Sequence, residues 1–242
     1  MKKLRITIIG NSVAIRNRPP QKFPNNKNYG LLLEELLQKE HPEQIIMINN
    51  MGFSRATIVN VIQKHDEYVA SMPEYFIINI GVSDASTREI PYWLAEIINN
   101  PKQSWYKTLF AAFHHYCIKP KRSFFVKLRG KKSWISQKKF RKYYKELILF
   151  LQKETNARII TIPINPANDR VEKAVPGSSE NYKKYNSIIR LITNECEGIY
   201  LELDDLDPKI HYPDGIHYSL QGNRFVAEKL FDLITKDIEY AE

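Results

Sequence analysis

Five short runs rich in isoleucine recur along the chain: Leu4–Ile9, Gln44–Ile48, Tyr75–Ile80, Arg158–Ile162 and Ile199–Leu203. Each is apolar almost without interruption or stops at a loop of Gly, Asn, Asp or Pro. Strands wetted on one side alternate apolar and polar residues, whereas near-continuous runs suit strands covered on both faces, as in a parallel sheet. Stretches of helical period lie between the runs. Tyr29–Glu40 carries leucine at 31, 32, 33, 36 and 37. Residues 57–70, 137–154, 180–195 and 220–236 are likewise amphipathic, and Tyr144, Leu147, Ile148 and Leu151 share one face of the second of these. Parallel strands need crossovers, and crossovers are right-handed. The alternation therefore predicts a doubly wound α/β domain, with helices on both faces of a central, mainly five-stranded parallel sheet.

The third and fourth runs are separated by about 75 residues, far more than one crossover helix uses. The gap is also where the charge sits. Between Glu96 and Glu146 there is no acidic residue, yet fourteen of the 36 Lys and Arg fall there. The remainder has 22 basic against 27 acidic residues, so one segment accounts for the net charge of +9. That segment interleaves its cations with Trp105, Tyr106, Phe110, Phe113, Tyr116, Phe124, Phe125 and Trp134. The reading is a single domain over residues 1–242 with a partly helical insertion or lid at about 99–139. Three uses of the insertion stand side by side. It is a solvated face; or a lid whose cations attract an anionic substrate or carrier such as acidic polysaccharide, phospholipid or acyl carrier protein; or a surface for nucleic acid or membrane. No nucleic-acid-binding motif is visible, and nucleic acid is not the expected partner.

Two cysteines without a CxxC, Cys117 and Cys196, exclude a disulfide framework and a cysteine-rich zinc site, and suit a reducing compartment. No apolar run approaches the roughly 20 residues that span a bilayer. Met1-Lys2-Lys3 imitates the start of a signal peptide, but the following apolar run is short and meets Asn11-Ser12. It reads as a first strand of a cytoplasmic protein. His114 and His115 are adjacent, so on a helix they diverge by about 100° and make a poor metal pair. His41 reads as a helix end, His65 as a solvated helix face, and His211 as a residue at the rim of a site. No metal or organic cofactor is expected.

In an open α/β sheet, ligands bind at the carboxyl ends of the strands. The loops there read Gly10-Asn11-Ser12 after the first strand and Asn50-Met51-Gly52-Phe53-Ser54-Arg55-Ala56-Thr57 after the second. Gly81-Val82-Ser83-Asp84 follows the third, and Asp214-Gly215-Ile216-His217 precedes the last helix. A serine, glycine amides and an Asp-x-x-His pair supply the groups that acyl transfer needs. A serine hydroxyl is a poor nucleophile until an imidazole takes its proton, and the imidazole needs a carboxylate to fix its tautomer. Backbone amides aimed at the developing oxyanion contribute about 3 kcal/mol for a single donor. A G-x-S-x-G elbow is absent, which disfavours an ordinary α/β-hydrolase.

These four blocks, in this order and on these loops, resemble the SGNH/GDSL hydrolase family. The resemblance covers residues 1–90 and 155–235 in layout and leaves the basic insertion outside. It implies a flavodoxin-like three-layer α/β/α fold and an esterase, lipase, thioesterase, carbohydrate deacetylase or acyltransferase activity. By that resemblance Ser12 is the nucleophile, His217 the general base and Asp214 its partner, with Ser12, Gly52 and Ser83 forming the oxyanion hole. The sequence departs from the family at two places. Asn11 stands where aspartate is usual, and Ser83 where the family has the asparagine that donates to the oxyanion. The function implied is cleavage of an acyl ester of a small molecule or saccharide, with O-acetyl groups preferred. An O-acyltransferase using the same triad, or a non-catalytic binding protein on this scaffold, are the alternatives.

Overall fold

The computed structural model describes residues 2–15, 27–99 and 105–241. All five expected strands form: β1 (Lys3–Gly10), β2 (Ile45–Asn50), β3 (Tyr75–Asn79), β4 (Arg158–Thr161) and β5 (Ile199–Tyr200). They make one parallel sheet in the order β2-β1-β3-β4-β5. Burial follows the isoleucine runs. Ile6, Ile8, Ile9, Phe76, Ile77, Ile78 and Ile160 are wholly enclosed, while edge strands β2 and β5 are only partly covered. β5 is shorter than its apolar run, because the chain leaves the sheet after Leu201, whose N–H donates to the Thr161 carbonyl.

Helices Tyr29–Glu40 and Leu220–Ala241 pack together over β1 and β2. Gln137–Glu154 and Ser178–Glu195 cover the other face near β4. The first starts where Asn28 Oδ1 accepts the Leu31 N–H, the long one where the Ser136 side chain accepts from Lys139. Residues 57–70 depart from the expected single helix and form two, Ile58–Ile62 and His65–Val69. The second restarts at His65, whose Nδ1 accepts the Asp66 N–H at 2.8 Å. The His65 ring stacks on Phe150 at 4.0 Å, so one side of it is packed while 34% of the side chain stays exposed.

Beyond β3 the insertion is helical, as expected, through Tyr92–Asn99, Trp105–Phe113, a π-helical turn His114–Ile118 and Arg122–Leu128. Its far end is anchored, with Val126 and Ile135 buried. Residues 137–139 already belong to the first turn of the sheet-covering helix. Among the described residues no helix is long and apolar enough to cross a membrane.

The strand order places a reversal between β1 and β3. The chain goes from β1 outward to β2, then returns past β1 to β3 and on to β4 and β5. The crossovers on the two sides of β1 then lie on opposite faces, which opens a crevice at the carboxyl ends of β1 and β3.

Candidate active site

β1 ends at Gly10, paired in register with Asn79 at the end of β3. A Cβ on Gly10 would stand 2.6 Å from the Ala14 Cβ and 3.1 Å from the Asn79 carbonyl, so only glycine allows the tight exit from the strand. The chain turns at once into the short helix Ser12–Ile15. Asn11 is buried, and its Oδ1 accepts the Val13 N–H at 3.0 Å while its own N–H donates to the Asn79 carbonyl. The departure from aspartate at this position therefore keeps the acceptor and drops the charge. Ser12 is held at the mouth of the crevice.

The last block folds around its own aspartate. Asp214 Oδ1 accepts the N–H groups of Ile216 and His217 at 2.8 and 2.7 Å. Its Oδ2 accepts from His217 Nδ1 at 2.8 Å, and His217 Nε2 lies 2.9 Å from Ser12 Oγ. Gly215 between them has φ +82°, and a Cβ there would fall 2.2 Å from Asn168 Oδ1. Burial disfavours the Asp214 carboxylate, but the hydrogen bonds from the His217 ring and from the two backbone N–H groups outweigh it and hold the pKa below the ordinary value. A charged Asp214 accepts the hydrogen bond of Nδ1–H, which leaves Nε2 facing the Ser12 hydroxyl.

The remaining expected donors are placed differently. The loop after β2 is tied to the serine loop where Phe53 N–H donates to the Gly10 carbonyl at 3.1 Å. Asn50 joins the same two loops, its Nδ2 donating to the Ala14 carbonyl at 3.0 Å and its Oδ1 accepting the Gly52 N–H at 3.1 Å. The Gly52 amide is thus engaged within its own loop. Ser83 is buried in the first turn of helix Val82–Ala85. Its carbonyl accepts from Arg88 Nη2 at 3.3 Å, and among the described residues no hydrogen bond joins Ser83 to Ser12 or His217.

Four residues without an assigned role in the sequence reading prove to organise this edge. Asn50 is one. Asp84 is buried, its Oδ1 accepting the Ile58 N–H at 2.8 Å, which ties the loops after β2 and β3 together. Burial, opposed by that bond and by its own backbone amide, pushes its carboxyl up to about 8. Asn165 donates to the Ile216 carbonyl at 3.1 Å and so braces the loop carrying the histidine. Arg88 stacks on Trp134, its guanidinium carbon 4.0 Å from the ring centre. Asn165 sits in Pro163-Ile164-Asn165-Pro166 directly after β4, so the rule that selected the other loops also selects this one. Of the remaining histidines, His41 ends its helix, His114 pairs with Glu89, and His211 packs on Phe225. His211 Nδ1 accepts the Asp207 N–H at 2.8 Å, within its own short helix. Among the described residues no group of three or more His, Cys, Asp or Glu is arranged to hold a metal.

No family model matches the chain, and no curated protein matches it by sequence. Solved structures do. Axe2, an acetylxylan esterase from Geobacillus stearothermophilus, is 16% identical at a TM-score of 0.61, over 95% of this chain and 93% of that one. A lipase/acylhydrolase from Enterococcus faecalis is 14% identical at a TM-score of 0.62, over 98% and 97%. LAE5, an α/β hydrolase enzyme from the metagenome of Lake Arreo, Spain, is 16% identical at 0.58, over 95% and 94%.

The chain shares the α/β fold of these esterase and acylhydrolase structures.

The match extends over nearly the whole chain. The serine, aspartate and histidine blocks lie on one edge of the sheet and are joined by hydrogen bonds. The third block keeps its place on the loop after β3 but presents serine.

Proposed function

We propose that this protein is a serine esterase that removes acyl groups, with an O-acetylated saccharide as the preferred substrate class. The observation that carries the reading is the continuous relay from Ser12 through His217 to Asp214, at 2.9 and 2.8 Å. Ser12 Oγ attacks the ester carbonyl as its proton passes to His217 Nε2, and Asp214 stabilises the resulting imidazolium. The Ser12 and Gly52 N–H groups receive the oxyanion, Gly52 exchanging its Asn50 acceptor for the developing charge, with the Ser83 hydroxyl as third donor. The C–O bond to the alcohol then breaks, and His217 returns the proton to the departing oxygen. Water, deprotonated by His217, releases the acyl group from Ser12 by the same steps reversed. The acetyl preference draws on the acetylxylan esterase among the similar structures. The chain works as one hydrolase domain with the insertion, up to about residue 136, as its lid. We assign it to the cytoplasm, where its two free cysteines, exposed Cys117 and buried Cys196, stay reduced.

Hydrolysis of p-nitrophenyl acetate by the wild type and by Ser12→Ala tests the reading. The expected result is a loss on the order of 10⁴-fold or more in kcat. Equal rates in the two proteins overturn it.

A further inference from the structure

The loops after β2 and β3 meet the insertion around a cavity of about 660 Å³. That lies within the range of small-molecule sites. Its walls come from three places. Arg55 stands three residues beyond Gly52, Arg88 and Glu89 follow the third block, and His114 and Arg122 belong to the insertion. Arg88 also reaches the Ser83 carbonyl, so the cavity opens beside the loops that hold the expected oxyanion donors.

The charges around it do not balance. Glu89 is the one carboxylate among the described lining residues, and it is taken. Arg122 Nε donates to its Oε2 at 2.8 Å, and His114 Nε2 lies 3.1 Å from its Oε1. Among the described residues Arg55 has only the Asn99 side-chain oxygen as its partner, and Lys119 adds another cation. The Arg88 guanidinium lies over Trp134, while its buried Nε has no hydrogen-bond partner among the described residues. Burial first, and then nearby Arg122, push this guanidinium down to about 10, still a cation at neutral pH. A buried donor without an acceptor is costly, and an arginine fork matches the paired oxygens of carboxylate or phosphate.

We propose that this cavity binds an anionic group, carboxylate or phosphate, carried by the ester substrate itself and held between Arg55 and Arg88. The inference rests on the esterase reading and narrows its substrate to an acylated anion. The insertion supplies the far wall, and stacking on Trp134 sets the plane of the Arg88 fork before the ligand arrives.

Three acetates with similar leaving groups test it: 4-acetoxybenzamide, 4-acetoxybenzoate and 4-acetoxyphenyl phosphate. The expected result is a kcat/KM advantage of about 10- to 100-fold for at least one anionic ester over the neutral amide. Which anion gains distinguishes a carboxylate from a phosphate ligand. Arg55→Gln and Arg88→Gln should erase the advantage, and so should Arg88→Lys, which keeps the charge but loses the fork. Equal kcat/KM for the three esters, or an advantage that survives all the substitutions, overturns the inference and leaves the esterase reading intact. If no ester is turned over, the melting temperature of the Ser12→Ala protein with inorganic phosphate at constant ionic strength decides. A rise that the arginine variants remove upholds the anion site although the esterase reading fails; no rise overturns it.

Discussion

Two stretches of the long connection between β3 and β4 use similar residues to opposite ends. Gln137–Glu154 turns Phe140, Tyr144, Leu147, Ile148 and Leu151 into the core and leaves its lysines in water. Trp105–Ile118 is at least as aromatic, yet buries none of its residues, with Trp105 80% and Tyr116 76% exposed. Apolar content alone therefore does not decide burial. In the first stretch the apolar positions repeat at the helical period and form a stripe facing the sheet. In the second, Trp105, Tyr106, Leu109, Phe110 and Phe113 also share one face, but that face has no sheet beneath it and stays exposed. Packing gives way there to polar ties. Arg122 and His114 hold Glu89, Arg129 donates to the carbonyls of Arg88 and Ile90, and the Trp134 ring N–H donates to Ile90. Hydrophobic burial fixes the helix that covers the sheet, and hydrogen bonds hold the exposed part of the insertion beside it.

The sharpest effects belong to the edge. Asp214→Asn leaves both loops in place but favours the wrong histidine tautomer, so kcat should fall on the order of 10⁴-fold. Steady-state kinetics check this, and a loss under tenfold would mean that the relay is not in use. Next comes Phe140→Ala, which empties a wholly buried site against Tyr144 and Tyr185. About 3–5 kcal/mol of stability should disappear in urea denaturation.

Asp84→Asn acts through pH. The carboxyl is raised to about 8 in the fold, against about 3.9 in the unfolded chain. Between those values the unfolded chain gives up a proton that the fold retains, so stability declines as pH rises from about 4 to about 8 and is level beyond. The variant lacks this slope, so its melting temperature should fall less than that of the wild type between pH 5 and pH 8. Smallest of all, Phe113→Ala in the exposed helix should change stability by no more than about 0.5 kcal/mol. If it costs as much as Phe140→Ala, the contrast between the two stretches is wrong.

Much of this was legible in advance because it is written locally. The isoleucine runs became the five strands, and the 137–154 and 29–40 periods became helices of those bounds. The serine and Asp-x-x-His blocks met as their loop positions required. What stayed hidden depends on partners distant in sequence. Nothing near Asn165 announces that it donates to Ile216, and nothing near Arg88 announces Trp134. The engaged Gly52 amide was equally invisible, since it follows from how Asn50 turns at the end of β2. The break at residue 64 escaped because a histidine side chain competed with the backbone for a single N–H.

Ser12 and His217 are bonded across 205 residues of chain. At 5–20 residues per second a ribosome needs roughly 10 to 40 s to pass from one to the other. Through that interval the nascent polypeptide carries Ser12 without the imidazole that meets it in the fold. The bond between them can form only with the Asp214–His217 loop, after all five strands have been made. A truncation anywhere before residue 217 keeps the serine and loses its histidine partner.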